Sequence, residues 1–575
     1  MLAKILWQYL KQYKSLLITV LIFQFMSVLG TLYLPELNAK IINIGVAQGD
    51  TDYIWSVGAL MLGVSLLQIT CSIIATYFAA RISMMIGRDI RNDVFAKVNS
   101  FSQQEVGRFG AGSLITRNTN DVQQVQMVAM LGATMLVTAP LLAIGGIIMA
   151  LRQDLKLSWI IAVSVPVLLA IAIIIVAKMI PMFKTYQFKL DSINRVLREQ
   201  LSGIRVIRAF VRENVEKEKF AEANHEITDL GRKVGELFVL LFPMVMLVLN
   251  LTIVAVIWFG GIQVDQGQTQ VGTIFAFMTY VMQILMGLLM ATFMVIMIPR
   301  AAVSADRINE VLSTQSSITR PENGRTELVA PGSIEFSDVT FKYPGAEEPV
   351  LKNVSFKVNS GETLAIIGAT GAGKSTLIEL IPRLFDVTTG SVKVNGIDVR
   401  EADLETLWKS LSYVPQKPFL FAGTIASNLR FGDEQASDEA LWQALEVAQA
   451  KTFVSEKEGT LAHRIAQGGT NLSGGQRQRV AIARALVPKP RILLFDDSFS
   501  ALDLSTDARL RKALWEKYPA ITKIVVAQRV STIINAERIL VLDEGQVVGS
   551  GTHEELLASN ETYREIVESQ LGARA

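Results

Sequence analysis

Residues 1–300 alternate long apolar runs with polar stretches. A helix needs about 20 predominantly apolar residues to cross the hydrocarbon core of a bilayer. Six runs reach that length with almost no charged residue inside them. They lie near 15–37, 54–80, 132–151, 157–177, 237–260 and 273–298. This pattern predicts a membrane domain of six helices.

The connections between these runs differ in length and charge. The short ones lie near 38–53, 152–156 and 261–272, and the long ones, near 81–131 and 178–236, are predicted to be helical. The N-terminal stretch and the long connections hold 21 Lys and Arg residues, whereas the short connections hold 3. Because cytoplasmic loops carry the excess of Lys and Arg, the N-terminus and the long connections are predicted to be cytoplasmic.

Composition supports a membrane protein with a soluble part. Of 575 residues, 50% are hydrophobic and 19% are charged, whereas soluble domains carry about 25% charged residues. The single cysteine, Cys71, excludes an internal disulfide framework. Residues 1–332 contain 28 Lys and Arg against 22 Asp and Glu, and residues 333–575 contain 27 against 31. The near absence of charge inside the spans argues against a proton-coupled carrier.

The second part of the chain has a different pattern. Residues 299–332 are polar and turn-prone, and short β-like runs then alternate with helical ones. These features predict a transmembrane domain over 1–312, a linker over 313–332 and an α/β domain over 333–575.

A phosphate-binding loop follows the predicted strand 363–368. The sequence G-x-x-x-x-G-K-[ST] is met in the strand–loop–helix context that it requires. Lys374 is expected to reach the β- and γ-phosphates, and Ser375 is expected to bind Mg²⁺. The predicted nucleotide-binding residues of this P-loop are Gly368, Ala369, Thr370, Gly371, Ala372, Gly373, Lys374, Ser375 and Thr376.

Two further segments complete the candidate chemistry. The apolar strand 491–496 ends at Asp496, which places a carboxylate where it can hold Mg²⁺. Between the P-loop and this strand lies the signature, defined here as Ser473, Gly474, Gly475 and Gln476, before a helix predicted over 479–486. A helix N-terminus of this kind is an anion site, although a turn and a helix cap would also explain the residues locally.

The sequence Leu-Ser-Gly-Gly-Gln at 472–476 resembles the signature of ATP-binding cassette (ABC) ATPases. With six spans and a C-terminal cassette, nearly the whole chain resembles ABC exporters of the half-transporter type. The resemblance implies a membrane all-α six-helix domain of the type I exporter fold, followed by an α/β P-loop NTPase domain. It also implies ATP and Mg²⁺ as ligands, and a bacterial plasma membrane location with a cytoplasmic N-terminus and ATPase domain.

The family pattern assigns further roles by resemblance. Tyr343 would stack on adenine, with an ordinary strand aromatic as the alternative. Gln416 would sense Mg²⁺ and contact the membrane domain, and Asp503 would belong to the loop that links two nucleotide sites. Two cassettes of the family pair head to tail, so the signature would contact the partner's ATP. The turns near 109–113 and 212–218 would dock on the cassettes.

Three positions depart from the family pattern. Asp497 stands where exporters carry a Glu as general base, and its carboxylate is one methylene too short to orient the attacking water well. Gln528 replaces the switch His, and it can donate a hydrogen bond to the γ-phosphate without carrying charge. Gln467 stands where the family usually has Glu. Together these departures resemble the degenerate-site subunit of a heterodimeric multidrug-type exporter, whose partner would carry Glu, His and an altered signature.

The implied function is ATP-driven export of hydrophobic or amphiphilic drugs or lipids. A homodimeric exporter, an exporter-fold importer of a metal chelate and a nucleotide-gated channel are the alternatives. Six spans exclude a soluble ABC ATPase that acts on nucleic acid. The Phe and Met side chains of the spans suit varied apolar ligands, but packing and lipid contact explain them equally. For the polar residues Asn250 and Gln283, an interhelical hydrogen bond and a substrate contact are both open.

Overall fold

A computed structural model describes residues 1–571, except for the side chains of residues 183, 184, 187, 241, 295, 296 and 571. The chain divides into two units. The membrane unit comprises Met1–Asn99 and Gly110–Thr314, and the second unit comprises Ser100–Phe109 and the chain from Gln315 onward. Residues 572–575 of the predicted second domain lie outside the described residues.

Six helical segments of the described chain are long and apolar enough to cross a membrane, as predicted. The membrane unit contains the helices α1 (Leu2–Leu10), α2 (Lys14–Lys40), α3 (Thr51–Asn99), α5 (Ala111–Thr116), α6 (Val122–Gln153), α7 (Trp159–Ser202), α8 (Ile204–Ala209), α9 (Glu213–Asp265) and α10 (Val271–Ser313), and α4 (Gln103–Phe109) belongs to the second unit. π-Helical turns occur at Ile41–Val46 and Arg117–Asp121.

The long connections are continuations of the membrane helices. Helix α3 has 49 residues, α7 has 44 and α9 has 53, which is more than a bilayer requires. The helical path breaks at Gly203 and again at Phe210–Arg212, on either side of α8. Both turns expected to dock on cassettes therefore lie at helix junctions, between α4 and α5 and at the start of α9.

The membrane helices pack through small residues and hydrogen bonds. Helix α10 lies along α6, and a Cβ atom added at Gly287 would lie 2.7 Å from the carbonyl oxygen of Ala139. Such close approach is typical of membrane helix pairs. The side chain of Gln283 donates from Nε2 to the carbonyl oxygen of Thr31 at 2.9 Å. Gln283 thus makes the interhelical hydrogen bond that the sequence left open, while Asn250 is exposed on α9.

A buried polar cluster joins the Arg117–Asp121 turn to α10. Ser304 donates from Oγ to Oδ1 of Asp121 at 2.9 Å, and the guanidinium of Arg307 lies 3.4 Å from Oδ2 of the same carboxylate. Arg117 donates to the backbone carbonyl of Arg307 at 2.7 Å. Ser304 therefore satisfies one oxygen of the buried Asp121 carboxylate, and the other oxygen faces the Arg307 guanidinium as an ion pair without a hydrogen bond.

The second unit is built on three sheets. Its strands are β1 (Ile334–Phe341), β2 (Leu351–Val358), β3 (Thr363–Gly368), β4 (Thr389–Val394), β5 (Ile397–Asp398), β6 (Leu411–Val414), β7 (Gly423–Thr424), β8 (Arg464–Ile465), β9 (Ile492–Asp496), β10 (Thr522–Val526), β11 (Arg538–Asp543) and β12 (Gln546–Gly551). The antiparallel sheet has the order β2-β1-β4-β5, the six-stranded sheet has the order β12-β11-β3-β10-β9-β6, and β7 pairs with β8.

Helices lie between and after these strands along the chain. They are α11 (Lys374–Leu380), α12 (Leu404–Ser410), α13 (Ile425–Leu429), α14 (Asp438–Val447), α15 (Lys451–Ser455), α16 (Gly474–Leu486), α17 (Leu504–Lys517), α18 (Val530–Ile533), α19 (His553–Ser559) and α20 (Glu561–Leu571). Five of the six strands are parallel, and one buried apolar cluster lies on each face. Ligands of such sheets bind beyond the carboxyl ends of the strands, where β3, β9 and β10 deliver the predicted site residues.

Candidate nucleotide-binding site

The P-loop connects β3 to α11 at the carboxyl edge of the sheet. Gly371 and Gly373 have φ angles of 90° and 95°, which side chains with a Cβ rarely adopt. Lys374 begins α11, and its ammonium group donates to the carbonyl oxygens of Gly368 at 2.9 Å and Ala369 at 2.7 Å. The loop therefore curls around the lysine head group, which suits a loop that surrounds phosphates.

Electrostatics at the P-loop favour an anionic ligand. Lys374 is only 8% exposed, and burial lowers the pKa of its ammonium group, while the nearby carboxylates of Asp497 and Asp496 act in the opposite direction. A buried cation gains from an additional negative charge.

Ser375 and Asp496 lie together although 121 positions separate them. The Oγ of Ser375 donates to Oδ1 of Asp496 at 3.0 Å, and the phenol of Tyr413 donates to Oδ2 at 3.4 Å. Burial raises the pKa of the Asp496 carboxyl, and the hydrogen bonds from Ser375 and Tyr413 oppose that rise. A hydroxyl and a carboxylate form the hard oxygen donor set that Mg²⁺ prefers, so the residues present fit the predicted ion.

Asp497 is buried directly after β9. It adopts a left-handed conformation with φ of 45°, which Asp tolerates better than most residues. Its backbone N–H donates to the carbonyl of Val526 at 3.0 Å. Gln416, in the loop after β6, donates from Nε2 to Oδ2 of Asp497 at 3.2 Å. The structure therefore brings Asp497, Gln416, Asp496, Ser375 and the P-loop lysine to one edge of the sheet.

Tyr343 lies beside the first turns of α11. Its hydroxyl forms a 3.0 Å hydrogen bond with Oγ1 of Thr376, and its ring packs edge-on against Phe341 and Phe385. Burial raises the pKa of the Tyr343 phenol. The aromatic ring is thus fixed next to the P-loop. This position is compatible both with stacking on adenine and with an ordinary packing role.

The signature begins helix α16. Ser473 is the N-cap and accepts from the backbone N–H of Gln476 at 3.3 Å, while Gln476 accepts from the N–H of Ser473 at 3.0 Å. This capping box starts the helix at Gly474, so the predicted start at 479 is wrong. Among the hydrogen bonds of residues 1–571, none joins the signature to the P-loop of the same chain. Ser473 and Gly474 are exposed and available to another molecule.

The remaining predicted residues lie on neighbouring loops. Asp503 caps α17, accepting from the N–H of Thr506 at 2.9 Å, and hydrogen bonds from Ser505 and Thr506 hold the pKa of its carboxyl well below the usual range. Gln528 is exposed just beyond β10, and Gln467 is exposed in a short helical turn.

Besides the bond between Gln416 and Asp497, two further site contacts were not predicted. Tyr413 stands three residues before Gln416 and reaches Asp496, a contact that its place at the end of β6 makes geometrically reasonable. Gln570 contacts the backbone of Gln528, and no local pattern in α20 indicates this.

Comparison with known proteins agrees with this geometry. Residues 17–289 match the model of the ABC transporter transmembrane region, and residues 351–500 match the ABC transporter model. An ABC transporter ATP-binding protein of Mycobacterium tuberculosis is 47% identical over 99% of this chain and 98% of its own length. The chain belongs to the ABC transporter family. Its predicted fold class is confirmed. It is a multi-pass membrane protein with a cytoplasmic ATPase domain, in which ATP hydrolysis is coupled to transport.

Other ABC transporters are also similar to this chain over nearly its whole length. An ABC transporter ATP-binding protein of Bacillus subtilis is 37% identical over 98% of both chains. The ATP-dependent lipid A-core flippase of Vibrio vulnificus is 29% identical over 99% of this chain and 97% of its own. A solved bacterial Atm1-family ABC exporter with ATP bound superposes with a TM-score of 0.80 over 98% of both chains at 23% identity. The architecture of this transporter is therefore of the exporter type.

Proposed function

We propose that this transporter chain is the degenerate-site subunit of a heterodimeric exporter of hydrophobic or amphiphilic compounds. One observation carries the proposal. The positions that follow β9 and β10 hold Asp497 and Gln528 in place of the Glu and His of the family, whereas the signature is complete. Changes at the catalytic positions, beside an intact P-loop and signature, separate nucleotide binding from hydrolysis.

The chain's own site retains the groups that bind nucleotide. Ser375 is hydrogen-bonded to the buried carboxyl of Asp496, and the buried ammonium of Lys374 is hydrogen-bonded to the P-loop carbonyls of Gly368 and Ala369. These residues would hold Mg·ATP. Mg²⁺ supplies neutralisation of phosphate charge when it is bound. Asp497 is one methylene shorter than Glu and is bonded to Gln416, and Gln528 cannot transfer a proton. Hydrolysis at this site is therefore slow or absent.

The exposed signature completes the site of a partner subunit. Ser473 and Gly474 lie at the N-terminus of the 13-residue helix α16, where N–H groups and the helix dipole favour a phosphate. The partner carries Glu and His at the catalytic positions and an altered signature. A homodimer with slow ATPase is the alternative.

Purification of a tagged chain from its native membrane tests the pairing. Mass spectrometry is expected to find a second ABC half-transporter at a 1:1 ratio, with Glu and His at those positions. Recovery of identical copies alone, or of a second chain with Asp and Gln there, contradicts the heterodimer.

Apolar chemistry supports the substrate class. Phe275, Met282 and Met286 are exposed on α10, and adaptable side chains of this kind suit varied apolar ligands. A related protein is named for flipping a lipid.

ATP-dependent uptake of a hydrophobic dye into inside-out vesicles is expected for an exporter. ATP-dependent loss of a preloaded metal chelate from the same vesicles indicates the importer, and conductance without ATP hydrolysis indicates the channel.

Transport is coupled through the cytoplasmic helix junctions at 109–113 and 212–218. ATP drives the spans between inward- and outward-facing states only if it binds closed cassettes more tightly than open ones. Spectroscopic distances between cassettes are expected to shorten with a non-hydrolysable ATP analogue, and an unchanged distance contradicts this coupling.

A further inference from the structure

One side chain of the C-terminal helix bridges the backbone around the switch position. The Nε2 of Gln570 donates to the carbonyl oxygen of Gln528 at 2.7 Å, and its Oε1 accepts from the backbone N–H of Val530 at 2.8 Å. Both distances are ordinary for amide hydrogen bonds. The pairing of an acceptor with a donor also fixes which way the Gln570 amide points.

The bridge meets a need of the local backbone. Val530 is the first residue of α18, and its N–H has no partner within the helix. Arg529, the N-cap, supplies no side-chain hydrogen bond. Gln570 therefore caps α18 from outside and simultaneously holds the carbonyl of the residue that emerges from β10.

The C-terminal helix is firmly seated, which makes the bridge a positional constraint. Tyr563 and Val567 are 0% and 4% exposed and belong to the same apolar cluster as Val530 and Ile533. These two residues share one helix face with Gln570, at positions i, i+4 and i+7. The phenol of Tyr563 also forms a 2.8 Å hydrogen bond with Nδ1 of His553.

We propose that Gln570 is a positioning residue that places Gln528 for contact with the γ-phosphate of ATP and so favours ATP over ADP. This inference rests on the proposed role of Gln528. Gln528 is exposed, so its backbone, fixed by Gln570, sets where its amide can reach. ADP has no γ-phosphate, and its affinity is independent of this constraint.

Photolabelling of the full-length chain by 8-azido-ATP, with ATP or ADP as competitor, reports on this chain's own P-loop even in a complex. Gln570→Ala removes both bonds. Gln570→Glu keeps an acceptor for Val530 but faces the Gln528 carbonyl with a second acceptor. Both variants are expected to weaken ATP competition about three- to tenfold, as partial loss of a hydrogen bond to a charged group does, and to leave ADP competition unchanged.

Two further variants separate positioning from general stability. Gln528→Ala is expected to reduce ATP competition, and adding Gln570→Ala is expected to cause no further loss, because residues that act through one contact are not additive. Gln449→Ala is the control, because it removes another hydrogen bond from a side chain to the backbone, that between Gln449 and the carbonyl of Glu446. It is expected to leave competition by ATP and by ADP unchanged. Equal loss of ATP and ADP in Gln570→Ala, or additive losses in the double variant, overturns the inference.

The same experiment separates the γ-phosphate contact of Gln528 from the positioning role of Gln570. Wild-type ATP competition in Gln528→Ala overturns the proposed γ-phosphate contact of Gln528, and the positioning role with it. A loss in Gln528→Ala without a loss in either Gln570 variant overturns the positioning role alone.

Discussion

Gln416 donates a hydrogen bond to Asp497, with its Nε2 3.2 Å from Oδ2. The family assigns these two positions to Mg²⁺ sensing and to the general base. In this chain the shorter carboxylate is held by the loop amide at a buried site. The hydrogen bond gives the buried carboxylate of Asp497 a polar partner. The difference in side-chain length between Asp and Glu at this position is therefore the property to test.

Restoring the family residues is expected to restore hydrolysis at this chain's site. In a complex whose partner's catalytic Glu is changed to Gln, the double variant Asp497→Glu/Gln528→His should raise steady-state ATPase about 10- to 100-fold, because a positioned general base contributes about 10²–10⁴-fold. Asp497→Asn/Gln528→His is the matched control and should give no rise. Equal rates for both double variants would contradict the account of Asp497.

Loss of the signature hydroxyl is expected to affect the partner's site. Ser473→Ala should reduce ATPase of the complex at least about tenfold, with unchanged photolabelling of this chain's own P-loop. It also removes a helix cap, which costs about 1 kcal/mol. Thr552→Ala breaks the equivalent capping box of α19 and controls for that cost, so it should leave ATPase near wild type. A comparable ATPase loss in Thr552→Ala would show that the Ser473 effect is structural.

The Mg²⁺ ligand set predicts a metal-dependent defect. Ser375→Ala removes the hydroxyl bonded to Asp496 and should abolish most of the Mg²⁺-dependent gain in nucleotide binding, while binding in EDTA changes little. Ser355→Ala, which breaks a 3.0 Å hydroxyl–carboxylate bond to Asp338, is the control. A titration of nucleotide binding against Mg²⁺ checks both variants, and a normal response in Ser375→Ala would argue against the ligand assignment.

The buried cluster at the Arg117–Asp121 turn predicts a stability effect. Asp121→Ala leaves Ser304 and Arg307 without their carboxylate and should cost about 1–3 kcal/mol, seen as a lower thermal midpoint in detergent. Glu226→Ala breaks the exposed ion pair with Lys189, and such pairs contribute about 0–1 kcal/mol. Similar midpoints for the two variants would contradict the importance of burial here.

Sequence patterns predicted the site best where the functional residues are contiguous along the chain. The strand at 363–368, the P-loop and the strand ending at Asp496 follow from apolar runs and loop residues that are contiguous in the chain. The sequence predicts a start of α16 that is five residues too late, at 479 and not at Gly474. Gly474 and Gly475 have low helix propensity, which the capping box of Ser473 and Gln476 overrides.

Two of the contacts between distant segments had no sequence signal. Gln570 lies 42 residues from Gln528, and the packing of α20 against α18 and α19 brings the two together. The bond between Gln416 and Asp497 spans 81 residues and depends on the adjacency of β6 and β9. Strand order is a tertiary property that periodicity alone does not determine.

The most direct measurement of the central claim is the ATPase rate of the assembled transporter with one catalytic position altered at a time. Asp497→Ala in this chain is expected to retain most of the wild-type turnover, within about twofold, because the position contributes little as a general base. Glu→Gln at the corresponding position of the partner is expected to abolish turnover. If Asp497→Ala abolishes turnover as completely as the partner's substitution, the site of this chain is catalytic and the degenerate-site account is wrong.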